Sequence, residues 1–137
     1  MANNSGYSGT PLAKKLGIKE GFTICLVDAP ANSLSLFDDL PAGIDFTNDI
    51  NTPKDLIHFF VKEKQTYTSL LPQLRAELRP NGMIWVSWPK KASKVVTDIT
   101  EDVVRNYALS IDLVDIKVCA VDEVWSGLKL VIPVKLR

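Results

Sequence analysis

The chain has 137 residues, with 16 Lys plus Arg set against 16 Asp plus Glu, and hydrophobic residues make up 46% of it. That length suits one domain over 1–137 with a core of its own, needing neither metal nor disulfide staples. Zero net charge excludes a uniformly basic nucleic-acid binder and a polyacidic tail, and no stretch approaches the roughly 18 apolar residues a membrane helix needs.

Residues 1–9 are a polar, Gly-containing lead-in, expected to be flexible. They carry neither the basic nor the apolar region of a signal peptide, so a cytoplasmic protein is expected. Thr10, Pro11 and Gly17 then frame a short helix: Thr10 can cap it, Pro11 fits its first position, Lys14 and Lys15 suit its C-terminal end, and Gly17 can close it. Residues 22–27 (FTICLV) form a continuous apolar run that reads as a strand buried on both faces. A weaker helical pattern runs over 29–40 until Pro41, followed by a short second strand over 44–46.

Residues 56–61 (LIHFFV) are the third buried strand. Leu70, Leu71, Leu74 and Leu78 recur at helical spacing and predict a helix over 66–79, with Pro72 either in its first turn or kinking it. Residues 79–82 read as a stop and a turn, and 83–88 (MIWVSW) as a fourth strand halted by Pro89. Asp98 and Glu101 stand at capping-box spacing before a helix through Val103, Val104, Tyr107 and Ala108. Strands over 116–121 and 125–134, joined at Asp122 and Glu123, close the chain as an antiparallel hairpin.

Strands alternating with helices predict a three-layer, Rossmann-like α/β fold with a mostly parallel sheet and a C-terminal antiparallel hairpin. In chain order the expected strand arrangement is 2-1-3-4-6-5, with the last strand antiparallel. The loops after Val27, Val61 and Trp88 should then share one rim, at the switch point between strands 1 and 3. Cys25 and Cys119 form no CxxC pair and are expected to be free thiols.

The stretch Leu71-Pro-Gln-Leu-Arg-Ala-Glu-Leu-Arg-Pro-Asn-Gly-Met-Ile-Trp-Val86 resembles the second half of class I S-adenosylmethionine-dependent methyltransferases, in which a helix ends in a Pro-Gly turn and a buried strand follows. The resemblance extends to the terminal strand pair and implies a methyltransferase-like topology, shortened here by at least one strand–helix unit. It also implies a Gly-rich cofactor loop after the first strand and an acidic residue after the second. Here that loop is Asp28-Ala-Pro-Ala-Asn-Ser33, without glycine, and Asp45 and Asp49 are the nearby acids. A second resemblance rests on the blocks Gly9–Gly17, Trp88–Lys94 and Val118–Gly127, which are similar to those of a bacterial family whose domain has no assigned activity.

Trp88, Lys90, Lys91 and Lys94 leave an inner strand at the crest where ligands of open α/β sheets bind. Asp28 leaves the first strand at the same crest, and Thr10 stands at a helix start where free N–H groups can face an anion. The leading expectation is therefore a binding module without catalysis and without a cofactor. It would hold a small anionic ligand or a protein partner at Asp28, Trp88, Lys90, Lys91, Lys94 and Thr10. The alternative is a divergent methyltransferase using S-adenosylmethionine. Nucleic acid is not expected as a partner, whereas a homodimer through the last strand, read as a partly exposed edge, is considered.

Two narrower motifs are read as structural. His58, the single histidine, is expected to be a paired core or strand-end residue, and no metal site is expected. Ser87 and Lys90 match SxxK spacing, but a strand ending at Pro89 should make them diverge. Asp122 and Glu123 are read as turn-forming acids as readily as an acid–base pair.

Overall fold

The computed structural model describes residues 12–31 and 40–137. Six strands form one sheet in the order β2-β1-β3-β4-β6-β5, the order expected from the hydrophobic runs. β1 (Thr23–Val27) pairs in parallel with β2 (Asp45–Phe46) on one side and β3 (Lys54–Phe60) on the other. β4 (Leu78–Pro89) continues the parallel set, and β6 (Trp125–Val131) runs antiparallel between it and β5 (Val114–Ala120). At this end of the sheet the edge is thus β5 rather than the last strand. A register shift between Asp115 and Val118 bulges this edge, a distortion that works against strand addition.

Strand periodicity divides the core. Ile57, Phe59 and Val61 join Ile84, Val86 and Trp88 under α2 (Lys64–Ala76) and α3 (Glu101–Ser110). Leu56 and Trp85 face α1 (Leu12–Leu16) on the opposite side. Both faces are covered, which is why these strands read as unbroken apolar runs. Trp85 Nε1 donates to the Leu16 carbonyl at 2.9 Å, fixing α1 to the sheet. Gly17, at φ 82°, closes α1 as expected. The proposed cap Thr10, the lead-in over 1–9 and most of the helix expected over 29–40 lie outside the described residues.

Three local expectations change. Residues 79–82 are not a free turn but part of β4: Leu78 pairs with Lys54 and Met83 with Leu56, so this segment bulges opposite Asp55 alone. Asp55 holds the bulge through Arg79 Nε at 3.2 Å, and a Cβ on Gly82 would sit 2.9 Å from the Asp55 carbonyl oxygen. Of the two places considered for Pro72, the first turn is excluded: it lies inside α2. Its missing N–H leaves the Thr68 carbonyl without a helical donor, and the Tyr107 hydroxyl of α3 supplies one at 2.9 Å. Thr100, not Asp98, caps α3 by accepting from Val103 N. Asp98 instead accepts from Lys64 N at 2.7 Å, capping α2 across the structure, where the side chain of the N-cap residue Glu63 makes no capping bond.

Candidate functional site

The carboxyl ends of β1 and β3 and the amino end of the antiparallel β6 meet on one rim. Between them opens a cleft of about 690 Å³, bordered by Asp28 and Pro30 after β1, by residues 61–63 after β3, and by Phe60, Trp125 and residues 96–98. Such a position, where neighbouring strand connections diverge, is where open α/β sheets take ligands. Asp28, Glu63 and Asp98 against Lys62 give its border a negative balance. Asp28 adopts φ 54°, the left-handed region that favours glycine and that Asp tolerates better than most residues. A glycine-free loop thereby still makes a sharp exit from β1.

The aromatic wall of this cleft is locked from behind. The Phe60 ring meets Trp125 edge-on, with centroids 5.1 Å apart, and stacks on His58 at 4.0 Å. His58 is fully buried, as expected of a core histidine, and its Nε2 lies 2.7 Å from Ser87 Oγ. Its Nδ1 has no partner among the described residues. A bare lone pair is cheaper to bury than an orphaned N–H, so Nδ1 is unprotonated and Nε2–H donates to Ser87. Burial pushes the His58 pKa down to about 3, leaving the ring neutral at neutral pH. Gly127 makes room for the pair: a Cβ there would stand 3.1 Å from Ser87 Oγ. Ser87 is committed to the interior while Lys90 sits on the rim, so the two diverge.

A second cleft of about 620 Å³ adjoins the first across Val96 and Thr97, which border both. Trp88, Lys90, Lys91 and Lys94 line it. The residues proposed from sequence are therefore divided: Asp28 borders the larger cleft, the tryptophan and the three lysines border the smaller one, and Thr10 lies outside the described residues. Phe60, Lys62, Glu63, Asp98 and Trp125 were missed. Only Lys62 and Glu63 carried a local signal, since they directly follow a buried strand at its ligand-facing end.

Neither of the acids noted near the second strand reaches this rim. Asp45 opens β2 level with Thr23, at the amino end of β1. The Asp49 carboxylate accepts from Asn51 N and the Thr52 hydroxyl in a tight turn, which holds its pKa below the ordinary carboxylate range. Its carbonyl accepts from Lys54 at the foot of β3, where Lys54 also pairs with Glu77. Asp122 accepts from Val124 N and Trp125 N and forms the hairpin turn. Burial raises the thiol pKa of both free cysteines, Cys25 and Cys119. Among the described residues no metal-holding group of His, Cys, Asp and Glu forms, and no helix is long and apolar enough to cross a membrane.

No protein-family model and no curated protein matches the chain, so the resemblance to a bacterial family gains no support. Solved structures do match. Ribosomal protein L11 methylase from Lactobacillus delbrueckii subsp. bulgaricus aligns at 13% identity and a TM-score of 0.56, over 87% of this chain and 73% of that one. Magnesium protoporphyrin IX methyltransferase from Synechocystis PCC 6803, solved with bound SAH, aligns at 10% identity and a TM-score of 0.58, over 82% and 74%. A tRNA methyltransferase from B. subtilis aligns at 8% identity and a TM-score of 0.56, over 88% and 63%. At such identities the likeness concerns backbone architecture alone. The chain has the methyltransferase-like Rossmann fold, an α/β sheet that is mostly parallel and ends in antiparallel strands.

Proposed function

We propose that the larger cleft binds an S-adenosylmethionine-type ligand, and that the protein is a divergent methyltransferase. The observation that carries this reading is the cleft itself, set at the switch point of a methyltransferase-like sheet and bordered by Asp28, Glu63 and Asp98 against Lys62. A sulfonium ligand with net positive charge suits that balance, whereas a free anion does not. The left-handed Asp28 fits the role that glycine has in the family's loop, and its carboxylate, with that of Glu63, can accept from ribose hydroxyls. Trp125 stands at the border of the cleft with Phe60 buried against it, an aromatic lining suited to an adenine. When bound, the ligand would supply an activated methyl group.

That Asp45 and Asp49 stay at the far end of the sheet favours a second reading, a binding module without catalysis. Calorimetric titration with S-adenosylmethionine and S-adenosylhomocysteine separates the two. The methyltransferase reading expects micromolar binding of both, weakened by Asp28→Asn, with the charged sulfonium form losing more. Absence of binding by either compound at millimolar concentration, with the protein folded by circular dichroism, would overturn it.

A further inference from the structure

The smaller cleft differs from the larger in the sign of its charge. Lys90 is half-buried while Lys91 and Lys94 are exposed, and all three line the cleft. None of them joins an ion pair of the described residues. Glu101, the one carboxylate on this border, is engaged by Arg105, which also holds Asp102 and Asp115. Three lysines within five residues of chain thus line one cleft without an ion-pair partner among the described residues.

The turn that carries them is rigidly built. Lys90 N donates to the Val124 carbonyl at 2.7 Å, and Ser93 Oγ donates back to the Lys90 carbonyl at 2.7 Å. The N–H groups of Ser93, Lys94 and Val95 are satisfied by Lys90 O, Lys91 O and Ser93 Oγ. These three N–H groups are thus unavailable to an anion, and the lysine side chains are the charged groups the turn can offer one. Lys94 sits at φ 61°, a conformation in which glycine is the unstrained choice.

We infer that the Lys90–Lys94 turn holds the phosphate group of a small molecule. Lysines act as movable point charges that suit a tetrahedral dianion, whereas planar carboxylates are better matched by arginine, which this cleft lacks. The cleft volume is that of a small-ligand site. Confinement of the charge to one turn in a chain of zero net charge distinguishes it from a track for a polyanion. The anion site stands on its own geometry, but calling its ligand the methyl acceptor rests on the reading of the larger cleft given above. On that reading the substrate is a phosphorylated small molecule whose phosphate lies under the lysines and whose remainder crosses Val96 and Thr97 toward the cofactor.

The test is an amide NMR titration with inorganic phosphate, with acetate as the control anion. Phosphate is expected to move resonances of residues 88–97 in a saturable, salt-sensitive way, and acetate is expected to bind more weakly. The combined Lys90→Gln, Lys91→Gln, Lys94→Gln variant should weaken phosphate by at least about tenfold. Its affinity for S-adenosylhomocysteine should be unchanged. Lys94→Gly alone should raise the melting temperature yet still weaken phosphate. Equal phosphate affinity in wild type and the combined variant, or shifts confined to other residues, would overturn the site. Loss of S-adenosylhomocysteine binding with retained phosphate binding would overturn only the cofactor reading.

Discussion

His58 should make this protein sensitive to mild acid, and the size of the effect follows from its burial. The folded state holds the ring neutral with a pKa of about 3, against an ordinary 6.5. Below the ordinary value the unfolded chain takes up a proton that the folded protein refuses. Stability is therefore present in full above pH 6.5 and is lost as pH falls toward 3, on the order of 5 kcal/mol across the whole window. By pH 5 the loss is about 2 kcal/mol, a large part of a typical domain's stability. With a urea slope of about 2 kcal/mol/M, the unfolding midpoint should fall by about 1 M between pH 7 and pH 5. Tryptophan fluorescence reports the transition, since Trp85 and Trp88 are core residues. Asp49, whose carboxyl is depressed from an ordinary 3.8, adds its own acid loss only at the low end of this window and leaves the comparison of pH 7 with pH 5 unaffected. His58→Phe combined with Ser87→Ala replaces both polar partners by apolar groups and should flatten the pH dependence. A double variant whose midpoint drops as far as that of wild type would refute the assignment of the acid loss to His58.

Two further expectations concern buried polar pairs. Lys54 is fully buried and its Nζ lies 2.5 Å from Glu77 Oε1, so Lys54→Met should cost about 3–5 kcal/mol by stranding the carboxylate, while adding Glu77→Leu should recover most of it in chemical denaturation. Tyr107→Phe should cost about 1 kcal/mol because it orphans the Thr68 carbonyl. In a Pro72→Ala background the new N–H can take over that carbonyl, so the double-mutant cycle should show a smaller cost for Tyr107→Phe; equal costs in both backgrounds would mean that the Tyr107 hydroxyl does not act through Thr68.

The sequence by itself determined what depends on local pattern. Unbroken runs such as FTICLV and LIHFFV must be strands covered on both faces, because their apolar residues do not alternate. Given those strands and the helices between them, handedness and short connections leave few sheet orders, and the observed one was among them. Crest residues after β1, β3 and β4 were legible for the same reason.

Only the tertiary structure decided which distant groups meet. Asp98 stands at capping-box spacing for its own helix, yet its carboxylate caps α2, 34 residues away. Pro72 reads as a helix breaker until Tyr107 is seen to complete the Thr68 carbonyl. Residues 79–82 carry turn chemistry that a strand absorbs as a bulge once Asp55 lies opposite. The site divided for a similar reason: Asp28 and the lysines share a rim, but residues 96–97 come between two clefts of opposite charge balance. Periodicity constrains each element through its own backbone, whereas side-chain partnership depends on how the elements pack, which short sequence patterns do not encode. The balance of 16 positive and 16 negative residues described the chain correctly, but only the fold separates it into adjoining clefts of opposite charge balance.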